Sequence, residues 1–254
     1  MTPDDSPASP VSSERRGAVR LIRMQAPPLN LLGSEMIAAL TDAFATIATD
    51  PPRVAVLVCH GGGADVKEMV AFDERSARTF ITALHTACRA IRDLDAPVIA
   101  AIDGPCVGAH LEVAAACDIR VASAGSRLGM PEIKVGIPSV IDAWWLAQIC
   151  GLGHASALVF DGEMIGAEQA SRIGLVNRLT LDGEAEIAAL AWADQIARAA
   201  PAALVQQKRV IRDWTDDAYL EAARRSIERF VRAIAAGQAR EAMRAMLDKR
   251  PPRF

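Results

Sequence analysis

Two glutamates, each preceded by residues that favour a turn, carry the clearest chemical signal in this sequence of 254 residues. Glu112 follows a small-residue turn at 103–108 and falls in the first turn of a predicted helix, and Glu132 follows Pro131 on a later loop. Carboxylates can take up and release protons during catalysis. Unpaired backbone N–H groups at a helix start can hold an oxyanion. The pattern therefore predicts acid/base chemistry on a substrate whose carbonyl oxygen gains negative charge.

Each of these features also has a structural interpretation. Glu112 is suited to capping its own helix, and Glu132 to pairing with an arginine. The run H-G-G-G-A-D at 60–65 follows an apolar strand, where glycines either expose N–H groups to a ligand or make a tight turn. No G-x-S-x-G elbow or G-x-G-x-x-G fingerprint accompanies it, which argues against hydrolase and dinucleotide folds. His110 is interpreted as a packed helix residue rather than a catalytic group.

The elements that must position these residues alternate between strands and helices. A first strand is predicted at 19–24. The continuous apolar run at 54–59 predicts a buried strand, and further buried strands are predicted at 98–102 and 119–122. Helical spacing of apolar residues predicts helices at 34–50 and 76–93. This order indicates an α/β architecture with crossover helices. After residue 183 the chain is predicted to be almost wholly helical.

Composition excludes several classes of partner. The net charge of −3 gives no reason to expect nucleic acid. Five cysteines without C-x-x-C spacing indicate reduced, buried thiols and a cytoplasmic protein. The four histidines lack the spacing of a metal site. The uncharged run between Asp142 and Asp161 is predicted to be broken by Gly151, Gly153 and His154 into two buried helices joined by a tight turn. No contact with a membrane is expected.

Several sequence blocks resemble the signatures of one family. They are G-A-D-V-K-E-M at 63–69, the stretch 104–122 that contains Glu112, and the segment 161–177 that ends in G-L-V-N. The basic and aromatic tail at 248–254 is similar to the C-terminus of the same family. Together these blocks resemble the enoyl-CoA hydratase/isomerase (crotonase) family over nearly the whole chain.

The resemblance implies a fold and an assembly. The fold is an α/β, crotonase-like spiral of stacked β-β-α units with a helical C-terminal region. Residues 1–16 are predicted to be a disordered leader, because they are rich in proline, serine and charge. The spiral core then covers 17–195, and the helical region at 196–254 is expected to mediate a homo-trimer or hexamer. One amphipathic helix in that region is expected to need a partner surface for Leu220, Ile227, Phe230, Val231 and Ile234.

The activity that the resemblance implies is addition of water across a 2-enoyl-CoA thioester. Glu112 would activate the water, and Glu132 would exchange the proton at the α-carbon. The N–H groups of Gly62 and Ala109 would form the oxyanion hole. Coenzyme A would arrive as part of the substrate, so no separate cofactor is expected. The residues expected to bind it are Leu29, Gly63, Ala64, Asp65, Val66 and Lys249.

Other activities remain open. Isomerisation of a Δ3 to a Δ2 enoyl-CoA uses the same enolate with one carboxylate, and other acyl-CoA chemistries of the family share the oxyanion hole. An acyl-CoA binding or assembly protein without turnover is a reading from a different class. Retention of both acids argues against it, and two altered loops argue weakly for it.

Those two loops depart from the usual family pattern. The loop before the first block is short and glycine-rich, and Ala109-His110 stands where the family usually has Gly-Gly. The segment G-I-P-S-V-I-D-A-W-W at 136–145 replaces a glycine-rich run. If this segment borders the acyl end, the pocket there is expected to be apolar, partly filled and selective for short or compact acyl groups. The alternative is that Trp144 and Trp145 face the core and touch no ligand.

Overall fold

A computed structural model of the protein describes residues 9–235 and 237–253. The strands are β1 (Val11–Arg16), β2 (Val19–Met24), β3 (Val54–Val58), β4 (Val98–Ile102), β5 (Pro105–Val107), β6 (Ile119–Ser123), β7 (Arg127–Gly129), β8 (Ile165–Gly166) and β9 (Arg178–Thr180). The helices are α1 (Ser34–Thr49), α2 (Val66–Met69), α3 (Glu74–Asp93), α4 (Ala109–Ala116), α5 (Trp144–Cys150), α6 (Leu152–Asp161), α7 (Ala167–Arg172), α8 (Ala185–Ile196), α9 (Pro201–Asp213), α10 (Asp216–Ala235) and α11 (Gln238–Leu247). Short 3-10 turns cover Pro131–Val135 and Ile141–Ala143.

The main sheet has six strands in the order β1-β2-β3-β4-β6-β9. Its strands are parallel except for the antiparallel pair of β1 and β2. Alternate residues of β3 pack on opposite faces: Ala55 and Leu57 join the core that includes α1 and α3, whereas Val54 and Val56 join a core with α8. Covering both faces explains why β3 and β4 are continuous apolar runs.

A second sheet of three short strands, in the order β5-β7-β8, completes the spiral. Helix α4 leaves β5 and returns the chain to β6 of the main sheet. A single bridge between Gly61 and Cys106 joins the glycine loop to β5. These stacked strand and helix units confirm the predicted crotonase-like α/β spiral, and they bring the loop after β3 beside the start of α4.

Most of the predicted elements are confirmed. Helix α1 buries all five of the apolar side chains that define its predicted face, which are Met36, Ile37, Leu40, Phe44 and Ile47. The leader prediction is wrong for residues 11–16, because these form β1 and pair with β2. Five of its six side chains are exposed, so an edge strand with polar side chains was indistinguishable from disorder. Residues 1–8 lie outside the described part of the chain.

The helical C-terminal region packs closely on the core. Phe230, Val231 and Ile234 of α10 are buried within the chain, so the prediction that they need a partner surface is wrong. Ile227 is partly buried against the same core, and Leu220 is exposed. Helix α11 packs against the turn at Pro131–Val135. The site described below therefore borders both the spiral and the last two helices.

Two helices form as predicted, α5 and α6, but the break lies at Gly151 alone, and Gly153 and His154 belong to α6. Helix α6 is only partly buried, however, because Ala155 and Leu158 are buried whereas Leu152 and Phe160 are 74% and 76% exposed. Within the described ranges, no helix has the combination of length and hydropathy needed to cross a bilayer. All five cysteines are buried free thiols, as predicted.

Candidate active site

Helix α4 carries the first two residues of the predicted site. All eight of its residues, A-H-L-E-V-A-A-A, are buried. Its N-cap, Gly108, has no side chain that could bond to the N–H groups of the first turn. The N–H of Ala109 has no hydrogen-bond partner among the described residues. Because Glu112 lies three residues further on, α4 presents an unpaired amide and a carboxyl group about one turn apart.

Gly108 is required by the close approach of the second acid. Its φ of +53° belongs to the left-handed region that favours glycine. A Cβ atom at this position would overlap Oε1 of Glu132. The Gly108 N–H donates to the carbonyl of Gly129 at 2.9 Å, which ties the turn to the end of β7. This turn therefore brings the loop that carries Glu132 against the start of α4.

The two glutamates line one small cavity of about 30 Å³. Glu112 Oε1 accepts a hydrogen bond from the Ala143 N–H at 3.3 Å. Glu132 Oε2 accepts one from the Ser139 hydroxyl at 3.0 Å. Both carboxyl groups are thus held by the segment 139–143, which the sequence showed only as a departure from the family pattern. The predicted pairing of the two acids is present in the structure.

The surroundings favour the protonated form of both acids. Burial raises the pKa of Glu112 well above its usual value, and the nearby Glu132 and Asp142 raise it further. Burial also raises the pKa of Glu132, against the opposing effect of its own backbone and of the Ser139 hydroxyl. Two carboxyl groups this close titrate as a pair. They are therefore suited to exchange protons closer to neutral pH than an exposed glutamate.

In the glycine loop, one predicted oxyanion-hole donor differs from the prediction. The Gly62 N–H donates to the carbonyl of Leu29 at 2.9 Å and has no second hydrogen for a ligand. The prediction that Gly62 contributes to the oxyanion hole is therefore wrong for this structure. The Ala64 N–H has no partner among the described residues, and Ala64 lines the same cavity as Ala109 and both glutamates. Among the described residues of the site, Ala109 and Ala64 thus offer unpaired amides on the two segments predicted to supply oxyanion donors.

A larger cavity of about 350 Å³ adjoins the small one. The two share Ala64, Met69, Glu132 and Ile137 as lining residues. Three of the residues predicted to bind coenzyme A line the larger cavity, namely Gly63, Ala64 and Val66. Met246 of α11 also lines this cavity and is 47% exposed.

The other predicted coenzyme A residues lie outside this cavity. Leu29 and Asp65 line a neighbouring groove. Asp65 caps α2 by accepting the Lys67 N–H at 2.9 Å. Lys249 is exposed three residues beyond Met246, and Phe254 of the predicted tail lies outside the described residues. Their role in binding remains a prediction.

The two tryptophans of the altered segment face the core. The guanidinium carbon of Arg92 lies 3.3 Å from the centroid of a Trp145 ring, and Trp144 packs against Tyr219. Neither tryptophan lines the cavities beside the glutamates. The interpretation of both as core residues is therefore correct. Other apolar residues line the small cavity, among them Phe80, Ile81, Leu84, Val140 and Phe230.

A buried polar cluster behind Glu112 was not predicted. Asp142 is fully buried. Its Oδ1 accepts the Tyr219 hydroxyl at 2.6 Å, and its Oδ2 lies 3.3 Å from Nδ1 of His85. Asp142 is the only charged residue between 136 and 160. An isolated acid in an apolar run was thus the available signal, because a buried carboxyl group must find polar partners.

Comparison with known proteins gives the family of this chain. The sequence profile of the enoyl-CoA hydratase/isomerase family matches residues 14–254. The chain is 31% identical over 245 residues to the short-chain-enoyl-CoA hydratase of Clostridium acetobutylicum, covering 93% of this chain and 94% of that protein.

Solved structures share the fold of this chain. Pseudomonas aeruginosa DspI is 30% identical with a TM-score of 0.79, covering 92% of this chain and 99% of that one. An enoyl-CoA hydratase from Mycobacterium avium subsp. paratuberculosis K-10 shares the fold, with a TM-score of 0.86, 23% identity and coverage of 98% and 99%. With a family profile that spans nearly the whole chain and a relative 31% identical over most of its length, this chain belongs to the enoyl-CoA hydratase/isomerase family and is an enzyme of that class.

Proposed function

We propose that the enzyme adds water across the double bond of a 2-enoyl-CoA thioester. The observation that carries this proposal is one cavity lined by two glutamates and by two residues with unpaired amides, Ala64 and Ala109. Two donors aimed at one point can hold the oxygen of a thioester enolate. Two carboxyl groups beside it can supply both proton transfers that hydration needs.

The proposed reaction balances with these groups alone. Glu112 takes a proton from water while the hydroxyl adds to the β-carbon, and the thioester oxygen becomes an enolate held by the two amides. Glu132 then gives a proton to the α-carbon, which restores the thioester carbonyl. Return of the proton from Glu112 to Glu132 resets the pair. The net change is the addition of one water molecule.

The acid pair provides the test of this reaction. Replacing either acid, as Glu112→Gln or Glu132→Gln, is expected to lower kcat by about 10²–10⁴-fold and to leave KM nearly unchanged. The control is Glu168→Gln, at an exposed position on α7, which should keep the wild-type rate. Steady-state hydration of 2-butenoyl-CoA measures all three variants.

The outcome of this test also separates the alternatives. If Glu112→Gln hydrates at the wild-type rate while Glu132→Gln is inactive, the two-acid mechanism is refuted, and a one-acid mechanism of the kind used in Δ3-to-Δ2 isomerisation is favoured. If wild type binds acyl-CoA esters without turning over 2-enoyl or 3-enoyl substrates, both hydration and isomerisation are refuted.

The acyl group that fits the site is short or compact. The small cavity has about 30 Å³ of free space, roughly the volume of one water molecule. Phe80 and Phe230 line it together with Val140. The relative from Clostridium acetobutylicum is named as a short-chain enzyme, which supports the same substrate class.

A change of chain-length profile tests this specificity. Phe230→Ala removes a ring from the cavity wall and is expected to shift the maximum of kcat/KM towards longer 2-enoyl-CoA substrates. Trp144→Ala is the matched control, because this aromatic residue packs on Tyr219 away from the cavity. An unchanged profile in Phe230→Ala would place the specificity elsewhere.

Binding of the coenzyme A portion is proposed along the larger cavity and the groove beside it. Gly63, Ala64 and Val66 would contact the part nearest the thioester. Leu29, Asp65 and Lys249 would act further out, where the Lys249 ammonium can attract a phosphate group.

We further propose that the enzyme is a homo-trimer or hexamer in the cytoplasm. The large apolar side chains exposed on α6, Leu152 and Phe160, support a contact between copies. Five buried free thiols support a reducing compartment. Light scattering tests the assembly, and a monomer at micromolar concentration would refute it.

A further inference from the structure

His110, the second residue of α4, connects the two segments that carry the unpaired amides. Its side chain is fully buried. Its Nδ1 accepts a hydrogen bond from the Gly63 N–H at 3.3 Å. Gly63 directly precedes Ala64, and Ala109 directly precedes His110. One hydrogen bond therefore joins the neighbours of both candidate oxyanion donors.

The ring occupies space that only a glycine loop leaves free. A Cβ atom at Gly61 would lie 2.5 Å from Cε1 and 2.6 Å from Nε2 of His110, which is closer than real atoms approach. The thiol of Cys59 donates to the His110 carbonyl at 3.3 Å, so the loop contacts this residue through its backbone as well. The short loop and the histidine thus fit each other.

The protonation state suits a hydrogen-bond acceptor. Burial lowers the pKa of His110 to about 3, with a smaller effect from His60. A neutral imidazole that accepts at Nδ1 carries its hydrogen at Nε2, and Nε2 has no partner among the described residues. A buried N–H without a partner costs stability. Packing alone would be better served by an apolar side chain, so the acceptor at Nδ1 is the feature that explains an imidazole here.

Three consecutive glycine amides are held by three separate acceptors. The Gly61 N–H donates to the carbonyl of Pro105, and the Gly62 N–H donates to the carbonyl of Leu29. His110 provides the third acceptor, for Gly63. Glycine has the widest backbone freedom of any residue, so a loop of three glycines needs such anchors to hold one conformation. Ala64 is the next residue, and its amide is left for a ligand.

We propose that His110 is a positioning residue, which fixes the Ala64 amide relative to the Ala109 amide so that both donors reach one enolate oxygen. This inference rests on the proposed function, since it concerns the oxyanion hole of the same site. His110 acts through Gly63 and does not contact the reacting atoms. Its expected effect is on the reaction step, because a small displacement of one donor weakens binding of the transition state more than binding of the substrate.

Substitutions of His110 can separate loss of the hydrogen-bond acceptor from loss of side-chain volume. His110→Asn keeps an oxygen close to the position of Nδ1 and should retain kcat within about threefold, whereas His110→Phe keeps a ring without an acceptor and should lower kcat by about 10–100-fold at nearly constant KM. His110→Ala removes both and should resemble His110→Phe. If the phenylalanine variant does not fold, the comparison of His110→Asn with His110→Ala gives the same answer. Cys117→Ala, just beyond the other end of α4, controls for loosening of the helix.

A second measurement is independent of hydration. Acetoacetyl-CoA forms an enolate whose near-ultraviolet absorbance reports directly on stabilisation of the thioester oxyanion. We expect this signal to persist in wild type and His110→Asn and to fall at least tenfold in His110→Phe. Wild type that stabilises the enolate but hydrates no enoyl-CoA would refute the proposed function alone. Equal enolate signal and equal kcat in the phenylalanine, alanine and wild-type proteins would refute the role of His110.

Discussion

The small cavity has an amide side, which presents backbone N–H groups, and a carboxyl side, which presents acidic side chains. Both sides begin on α4, but their chemistry differs. On the amide side, the Ala64 and Ala109 N–H groups are backbone dipoles, and the neighbouring His110 is neutral. On the carboxyl side, Glu112 has two further acids near it, Glu132 and Asp142. The amide side thus presents backbone dipoles, whereas the carboxyl side presents Glu112 and Glu132, the pKa values of which are raised by burial.

This difference separates the tasks of the two sides. Backbone amides keep their positive ends at any pH, so they can hold an enolate oxygen without a change in protonation. The glutamates must gain and lose protons, so their rate depends on pH. A substitution on one side should therefore impair either stabilisation of the enolate or proton transfer, but not both. The exception is a substitution where the two sides meet.

The largest effect is expected at that junction. Gly108→Ala would place a methyl group against Oε1 of Glu132, in a backbone conformation with φ of +53°. It would displace the carboxyl group and the start of α4 together. We expect kcat to fall by more than about 10³-fold, because an oxyanion donor and a proton-transfer group are both affected.

A second glycine isolates the clash from the backbone strain. Gly151 also has a positive φ, of +82°, but a Cβ there would meet no atom within 4 Å. Gly151→Ala should therefore lose some stability and keep its activity. Equal activity of the two alanine variants would contradict the close approach of Glu132 to Gly108.

A smaller effect is expected from the cluster behind Glu112. Tyr219→Phe removes the hydroxyl that donates to Asp142 at 2.6 Å. Loss of a buried hydrogen bond to an acid should cost about 1.5–3 kcal/mol of unfolding free energy. Because Asp142 directly precedes Ala143, whose N–H contacts Glu112, we also expect a few-fold fall in kcat.

Two measurements locate this effect on the carboxyl side. Urea unfolding gives the loss of stability, and Thr79→Val, on the exposed face of α3, is a control that removes a hydroxyl from the surface. The enolate absorbance of bound acetoacetyl-CoA should stay at the wild-type level in Tyr219→Phe. Loss of that signal would show that the two sides are not separable.

The smallest expected effect is a pH-dependent change in the free energy of unfolding. The folded-state pKa of Glu112 is raised above its unfolded value. Its carboxyl group therefore contributes stability below the unfolded pKa, and this contribution is lost as pH rises through the folded pKa. Glu132 and Asp142 lie near Glu112 and oppose its ionisation. The buried thiol of Cys88 also lies near Glu112, which raises the pKa of that thiol.

Glu112→Gln should thus be more stable than wild type at about pH 8 and no more stable at about pH 4, close to the ordinary glutamate pKa. A gain of about 1 kcal/mol corresponds to a rise in Tm of roughly 2–4 °C for a chain of this size. Glu168→Gln should show no such pH dependence. A gain in Tm for Glu112→Gln that is the same at both pH values would show that ionisation is not its cause.

The parts of the fold that the sequence predicted are those where local pattern decides the structure. Strands β2 and β4 have the predicted bounds, and the two acids predicted to be catalytic line one cavity. Strand β1 was missed because hydrogen bonding to β2, and not burial of its side chains, holds it in place. Sequence patterns record side-chain polarity far better than backbone pairing.

The details of the site depend on contacts between distant residues. Whether Gly62 or Ala64 offers a free amide is decided by the carbonyl of Leu29, which no local motif reveals. Asp142 finds Tyr219 and His85 at separations of 77 and 57 residues along the chain. These partners become neighbours only when the spiral closes and α10 packs on α3.

The eight buried residues of α4 have a consequence for engineering. Ala109 and Glu112 are separated by three residues of one helix, so a rise of about 4.5 Å sets the axial distance between the amide and the carboxyl group. No loop lies between them. Libraries that vary α3, α10 and residues 137–140 can therefore exchange the acyl group while this spacing is preserved. Insertions within 109–112 are the changes from which no screen should recover an active enzyme.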